Sequence, residues 1–131
     1  MSRGELLAPA LLLLVALGSM AGAVARVAIS RHLVAAPDRL VARDTLLVNL
    51  SGSFVIGCLS GLAPGLDPRP AALLVAGFLG SYTTVSAVSL HTLVLTRSRS
   101  FRAAALNLAA NLGGGLLLAA AGLVLTRLAA G

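Results

Sequence analysis

Four long stretches of the chain carry no formal charge. They run from Leu6 to Ala25, from Thr45 to Ala63, from Pro70 to Thr96 and from Ala103 to Thr126. Glu5 and Arg26 bound the first, while Asp44 opens the second and Pro64 closes it. A helix needs about 20 apolar residues to cross the hydrocarbon core of a bilayer. Backbone amides in lipid must bond within their own segment, so each stretch is predicted to be a transmembrane helix. The connectors, Ser30 to Asp44, Pro64 to Pro70 and Arg97 to Arg102, hold the charges and prolines. None exceeds about 15 residues, which leaves no room for a soluble catalytic module. The expectation is one all-α domain over residues 1–131, solvated by the lipid bilayer. The first stretch is too long for a cleaved signal peptide and is followed by further spans.

Composition agrees. Apolar residues make up 58% of the chain and charged ones 11%, with a mean hydropathy of +0.99; a soluble domain carries about 25% charged residues. The net charge of +6 is all arginine, because there is no lysine. These arginines sit mostly at the ends of apolar runs, with no basic stripe interleaved with aromatics, so nucleic acid is excluded as a partner. Arg31, Arg39, Arg43, Arg97, Arg99 and Arg102 fall in the first and third connectors, against Arg3, Arg69 and Arg127 on the other side. That bias predicts the first and third connectors in the cytoplasm and both termini outside. Cys58 stands alone, which excludes an internal disulfide and a thiolate cluster.

Polar residues inside spans carry the candidate chemistry, since each must find a partner or a polar pathway. In the second span this is Asn49, in Val48-Asn49-Leu50-Ser51-Gly52-Ser53-Phe54. In the third, Gly77-Phe78-Leu79-Gly80-Ser81-Tyr82-Thr83-Thr84-Val85-Ser86 makes a poor helix centre. Two readings fit it. One is a break between Gly80 and Thr84 whose free carbonyls form an ion site at mid-membrane; the other is a tilted, unbroken helix whose hydroxyls bond back to their own carbonyls. In the fourth span Asn107 and Asn111 lie one turn apart on one face, as interhelical glue or as a track of donors for an anion. Arg26 either snorkels to the interface or draws anions towards a vestibule. His91 reads as a titrating group or as a satisfied structural histidine. No nucleophile–base pair and no metal-ligand spacing is present, so an enzyme is not expected. Glu5, Asp38, Asp44 and Asp67 all lie at or beyond span ends, which argues against proton-coupled export.

Together, the glycine-rich first span ending in Arg26, Val48-Asn49-x-x-Gly52-Ser53-Phe54 and Gly77-Phe78-x-Gly80-x-x-Thr83-Thr84-x-Ser86 resemble the Fluc family of fluoride channels, also called CrcB proteins. The resemblance implies a four-helix subunit with a broken third helix, paired in an antiparallel, dual-topology dimer. That dimer sits in the bacterial plasma membrane and passes fluoride out of the cytoplasm by passive electrodiffusion. It implies a structural sodium ion at the dimer centre, held by the backbone carbonyls of Gly80 and Thr83. It further implies a pore asparagine at Asn49, a vestibule arginine at Arg26, pore-side hydroxyls at Thr84 and Ser86, and a fourth-helix track at Asn107 and Asn111. The family's usual phenylalanine pair, whose ring edges face the ion, is replaced by Val85 and Val88, and a glutamate by His91. Valine has no quadrupole to offer an anion. The departure implies either a heterodimer with a homologous subunit of opposite orientation that keeps the aromatics, or a homodimer with a modified pore. The alternative function is a non-conducting structural or assembly subunit.

Overall fold

The computed structural model describes residues 3–33, 42–62 and 67–130, with side chains from residue 7 onward. Asp38, Arg39, Pro64 and the side chains of Arg3 and Glu5 lie outside the described residues. Four helical crossings are present, long and apolar enough for a membrane, and no strand occurs among the described residues. We label them α1 (Arg3–Leu33), α2 (Arg43–Gly61), α3 (residues 68–82), α4 (Val85–Arg97) and α5 (Phe101–Ala130). The third crossing is α3 plus α4, divided at Thr83 and Thr84.

The ends of the crossings follow local chemistry. α1 continues past Arg26 to Leu33, so Ser30 to Leu33 are helical rather than connector. Val27, Ala28 and Ile29 supply apolar residues without a glycine or proline to stop the helix. At 31 residues and about 1.5 Å of rise each, α1 outruns a hydrocarbon core about 30 Å thick. α3 starts where Asp67 accepts a bond from the Arg69 amide at 2.9 Å, with Pro68 in the first helical position, where a missing N–H costs nothing.

Apolar burial does not drive helices together in lipid, so close backbone approach must. α1 packs on α3 through Gly18 and Gly22. A Cβ on Gly18 would run into the Leu73 carbonyl oxygen and the Phe78 amide, and one on Gly22 into the Phe78 carbonyl. α2 packs on α5 in the same manner, Gly57 against the Ala119 carbonyl and Gly122 against that of Phe54. The segment Ala71–Leu79, facing α1, is wound with the wider π turns, a geometry seen mostly as single turns and often beside functional sites. Outward-facing leucines and valines, among them Leu12, Leu13, Leu17, Leu116 and Leu117, meet lipid or another chain.

α4 ends in a Schellman turn. The Ser100 amide bonds to the Leu95 carbonyl at 2.9 Å and the Arg99 amide to that of Thr96 at 3.0 Å. This puts Arg99 in the left-handed region, with φ of 59°, at the position where glycine is normal. Arg99→Gly is therefore expected to stabilise the subunit by about 1 kcal/mol, read as a higher thermal unfolding midpoint in detergent. A lower midpoint would contradict the cap geometry.

Candidate functional site: the break in the third crossing

α3 ends at Tyr82 and two residues leave the helical region. Thr83 has φ −78° and ψ 157°, and Thr84 has φ −150° and ψ 121°. Ending a helix inside a membrane frees amides and carbonyls that water cannot satisfy. The Asn49 side chain of α2 takes up both backbone groups of Thr84. Its Oδ1 accepts the Thr84 amide at 2.8 Å, and its Nδ2 donates to the Thr84 carbonyl at 3.0 Å. The Thr84 hydroxyl caps α4 by accepting the Ala87 amide at 3.2 Å. Thr83 folds back instead, its amide and hydroxyl both bonding the Leu79 carbonyl, at 3.0 and 2.9 Å. Gly52 makes room for this, since a Cβ there would strike the Thr83 methyl.

The amide chain continues across α5. Asn49 Nδ2 also donates to Asn111 Oδ1 at 2.9 Å, and Asn111 Nδ2 donates to the Asn107 carbonyl at 2.9 Å. Asn107 Nδ2 then donates to Thr92 Oγ1 at 2.8 Å and to the Val88 carbonyl at 3.3 Å. Hydroxyls of Ser89, Thr92 and Thr96 bond back to carbonyls one turn earlier. Of the two readings of the third span, the unbroken helix is overturned: the crossing breaks at residues 83–84, although hydroxyls along α4 do bond back to their own carbonyls. Beneath the break, Tyr82 stacks on Phe78 with centroids 5.5 Å apart, and its hydroxyl meets Ser51 at 3.0 Å.

Two clefts meet at Thr84. The larger, of about 740 Å³, is lined by Arg26, Arg31, Ser30, Asp44, Thr84 and Ser86 among others. The smaller, of about 320 Å³, has Asn49, Ser53, Asn111, Thr84, Val85 and Val88 in its wall. Arg26, Thr84 and Ser86 therefore share one chamber, the two hydroxyls lying 3.0 Å apart. Asn49 and Asn111 share the other. Asn107 lines neither; it is 1% exposed and its amide is committed to α4. Both Asn49 amide hydrogens are already donated, one to Thr84 and one to Asn111, so its place is that of a clamp at the cleft wall. The two substituted valines differ sharply: Val85 is 77% exposed and Val88 5%. Gly80 is exposed at the end of α3, and the carbonyls of a last helical turn have no helical partner. No cluster of acidic, histidine or cysteine side chains suited to a metal occurs among the described residues; a carbonyl site requires none.

Sequence reasoning passed over Ser30, Arg31 and Asp44 as part of the chamber. The one signal for them was the cluster of charge where the first two spans meet. His91 is not the satisfied histidine expected, because its Nε2 is buried with no hydrogen-bond partner among the described residues.

Comparison with known proteins places these features in a family. The family model described as "CrcB-like protein, Camphor Resistance (CrcB)" matches residues 13–123. Proteins named fluoride-specific ion channel FluC are 42% identical over 117 residues in Magnetococcus marinus and 41% over 119 in Azotobacter vinelandii. Those alignments cover 87% and 88% of this chain, and 95% and 96% of the relatives. A protein of the same name from Methylococcus capsulatus is 43% identical over 96 residues, 71% of this chain. The chain spans only 42% of that longer protein.

Asn49→Ala leaves the part-buried Thr84 N–H and C=O without their side-chain partners, a loss of about 2 kcal/mol. Asn111→Ala spares the clamp and is expected to cost about 1 kcal/mol. Thermal unfolding with amide exchange at Thr84 measures both, and equal effects would refute the clamp.

Proposed function

The chain belongs to the CrcB family, and on that premise we propose that it is a subunit of a fluoride-specific ion channel in a bacterial membrane. Cytoplasmic fluoride leaves through it passively, down its electrochemical gradient. The observation that carries the reading is the set of polar groups in the largely apolar walls of two clefts that share Thr84: the Arg26 guanidinium, the Thr84 and Ser86 hydroxyls, and the Asn49–Asn111 pair. Fluoride is small and strongly hydrated, so a selective pore replaces its water with closely set donors. The guanidinium raises the local anion concentration. The Thr84 and Ser86 hydroxyls form one hydrogen-bonded pair, 3.0 Å apart; one hydrogen lies within the pair and the other can rotate towards an ion. Asn49 holds the backbone beside them and supplies no donor of its own.

The working channel is an antiparallel pair. Both clefts are open on one side, and Val85 projects from the subunit beside the smaller one, so a second subunit must close the pore. The partner we favour is a homologous subunit of opposite orientation that keeps the aromatic pair, because valine cannot present a polarised ring edge. The arginine bias supports this, since a chain inserting both ways would need balanced loops. The Gly80 and Thr83 carbonyls, where the end of α3 frees peptide oxygens, would hold a structural sodium ion. Such an ion would supply positive charge beside the break. The valine pair also favours a second reading, a non-conducting subunit needed only for assembly.

Fluoride efflux from liposomes separates these readings. The chain with its homologous partner is expected to empty vesicles of fluoride at least about tenfold faster than the chain alone. Full-rate efflux by the chain alone would remove the heteromeric assignment, and no efflux in either arrangement would remove the channel.

A further inference from the structure

One carboxylate shares the larger chamber with two guanidinium groups. Arg26, Arg31 and Asp44 all line it. Asp44 is half-buried and accepts a bond from the Ser30 hydroxyl at 2.9 Å, so its carboxylate is held rather than swinging free. It stands in the first turn of α2, a helix whose N-cap residue, Ala42, makes no side-chain bond. The positive end of α2 therefore meets a built-in negative charge. Besides complementing the helix end, this charge opposes the gathering of anions in the chamber. Neither guanidinium makes an ion pair with Asp44 among the described residues, so its charge acts on the chamber as a field rather than through one bonded partner.

We propose that Asp44 is a resident counter-anion that sets the potential of the vestibule. It offsets the attraction of Arg26, Arg31 and the α2 terminus, and so limits how fast anions reach Thr84 and Ser86. The carboxylate competes for the positive field that an incoming fluoride would use, and Ser30 fixes its position. The assignment rests on the chamber being an anion vestibule, as in the channel reading.

Asp44→Asn keeps the volume and an acceptor for Ser30 while removing the charge. Fluoride efflux at about 10 mM salt is expected to rise about three- to tenfold. At about 300 mM salt, where screening is short-ranged, the gain should shrink below about twofold. Asp44→Glu should stay near the parent rate, and Asp44→Ser should repeat the Asn result if the first variant folds poorly. A second readout does not need conduction. In a Cys58→Ser background, Val27→Cys places a thiol in the same chamber, at a residue 46% exposed. Asp44→Asn should raise the ratio of its modification rates by anionic and cationic thiosulfonate reagents several-fold. An unchanged ratio overturns the proposal whether or not fluoride flows. A raised ratio in protein that passes no fluoride, with or without its partner, upholds the assigned field and sinks the channel reading instead.

Discussion

The pair of hydrogen bonds between the Asn49 side chain and the Thr84 backbone is the interaction on which the rest of this structure depends. A helix can stop halfway across a bilayer only if the peptide groups it releases are satisfied by protein. The asparagine side-chain amide presents an acceptor oxygen and a donor N–H on one edge, matching the N–H and C=O of a single extended residue. It therefore pairs with Thr84 as a neighbouring strand would. Gly52 follows Asn49 by three residues and lies on the same face of α2, where the Thr83 methyl closes against it. The asparagine and the glycine are two halves of one seat for the break. Serine cannot replace the first, having one oxygen, and alanine cannot replace the second.

A clamp is only as firm as the helix that carries it. α2 is anchored to α5 where Gly57 and Gly122 bring backbone onto backbone, which gives many weak contacts without large side chains to reorder. α5 in turn returns a bond to the clamp through Asn111 and holds the body of α4 through Asn107. α4 is thus fixed at its head by α2 and along its length by α5. A chain of amides does the work that a packed apolar core would do in water. Such a chain rigidifies only when complete, because each unpaired amide in a low-dielectric interior is costly.

Much of this was legible in the residues. Charge-free runs of the right length marked four crossings, since in lipid no other structure satisfies a backbone. The run Gly80 to Thr84 read as weak helix because glycine and clustered hydroxyls disfavour it. That left a break and an unbroken helix both open; the chain breaks at residues 83–84. The seat of the break was half legible: Asn49 needed a partner, and sequence alone did not decide between an ion and a backbone. The extension of α1 beyond Arg26 was written in Val27, Ala28 and Ile29 but hidden by the charge that closes the run. Two features were not legible. The π winding of Ala71–Leu79 arises where that segment faces α1. The meeting of Arg26, Arg31 and Asp44 in one chamber depends on how the ends of α1 and α2 pack, a long-range property that spacing does not encode.

The two valines show why position in the fold matters more than residue type. Both are expected, from the family resemblance, to stand in place of aromatics, so on sequence they read as one change. Val88 is packed inside its own subunit, and its carbonyl accepts a bond from Asn107. A smaller residue there alters the wall of this chain's own cleft. Val85 sits one residue after the clamped Thr84, at the start of α4, and points away from the subunit. A smaller residue there alters what this chain presents to a neighbour. The loss at 88 is therefore local, while the loss at 85 is felt on a surface that this chain does not close. The hydroxyls on this chain's own side are those of Thr84, whose backbone is held by Asn49, and of Ser86, which bonds Thr84; neither is placed by an aromatic ring.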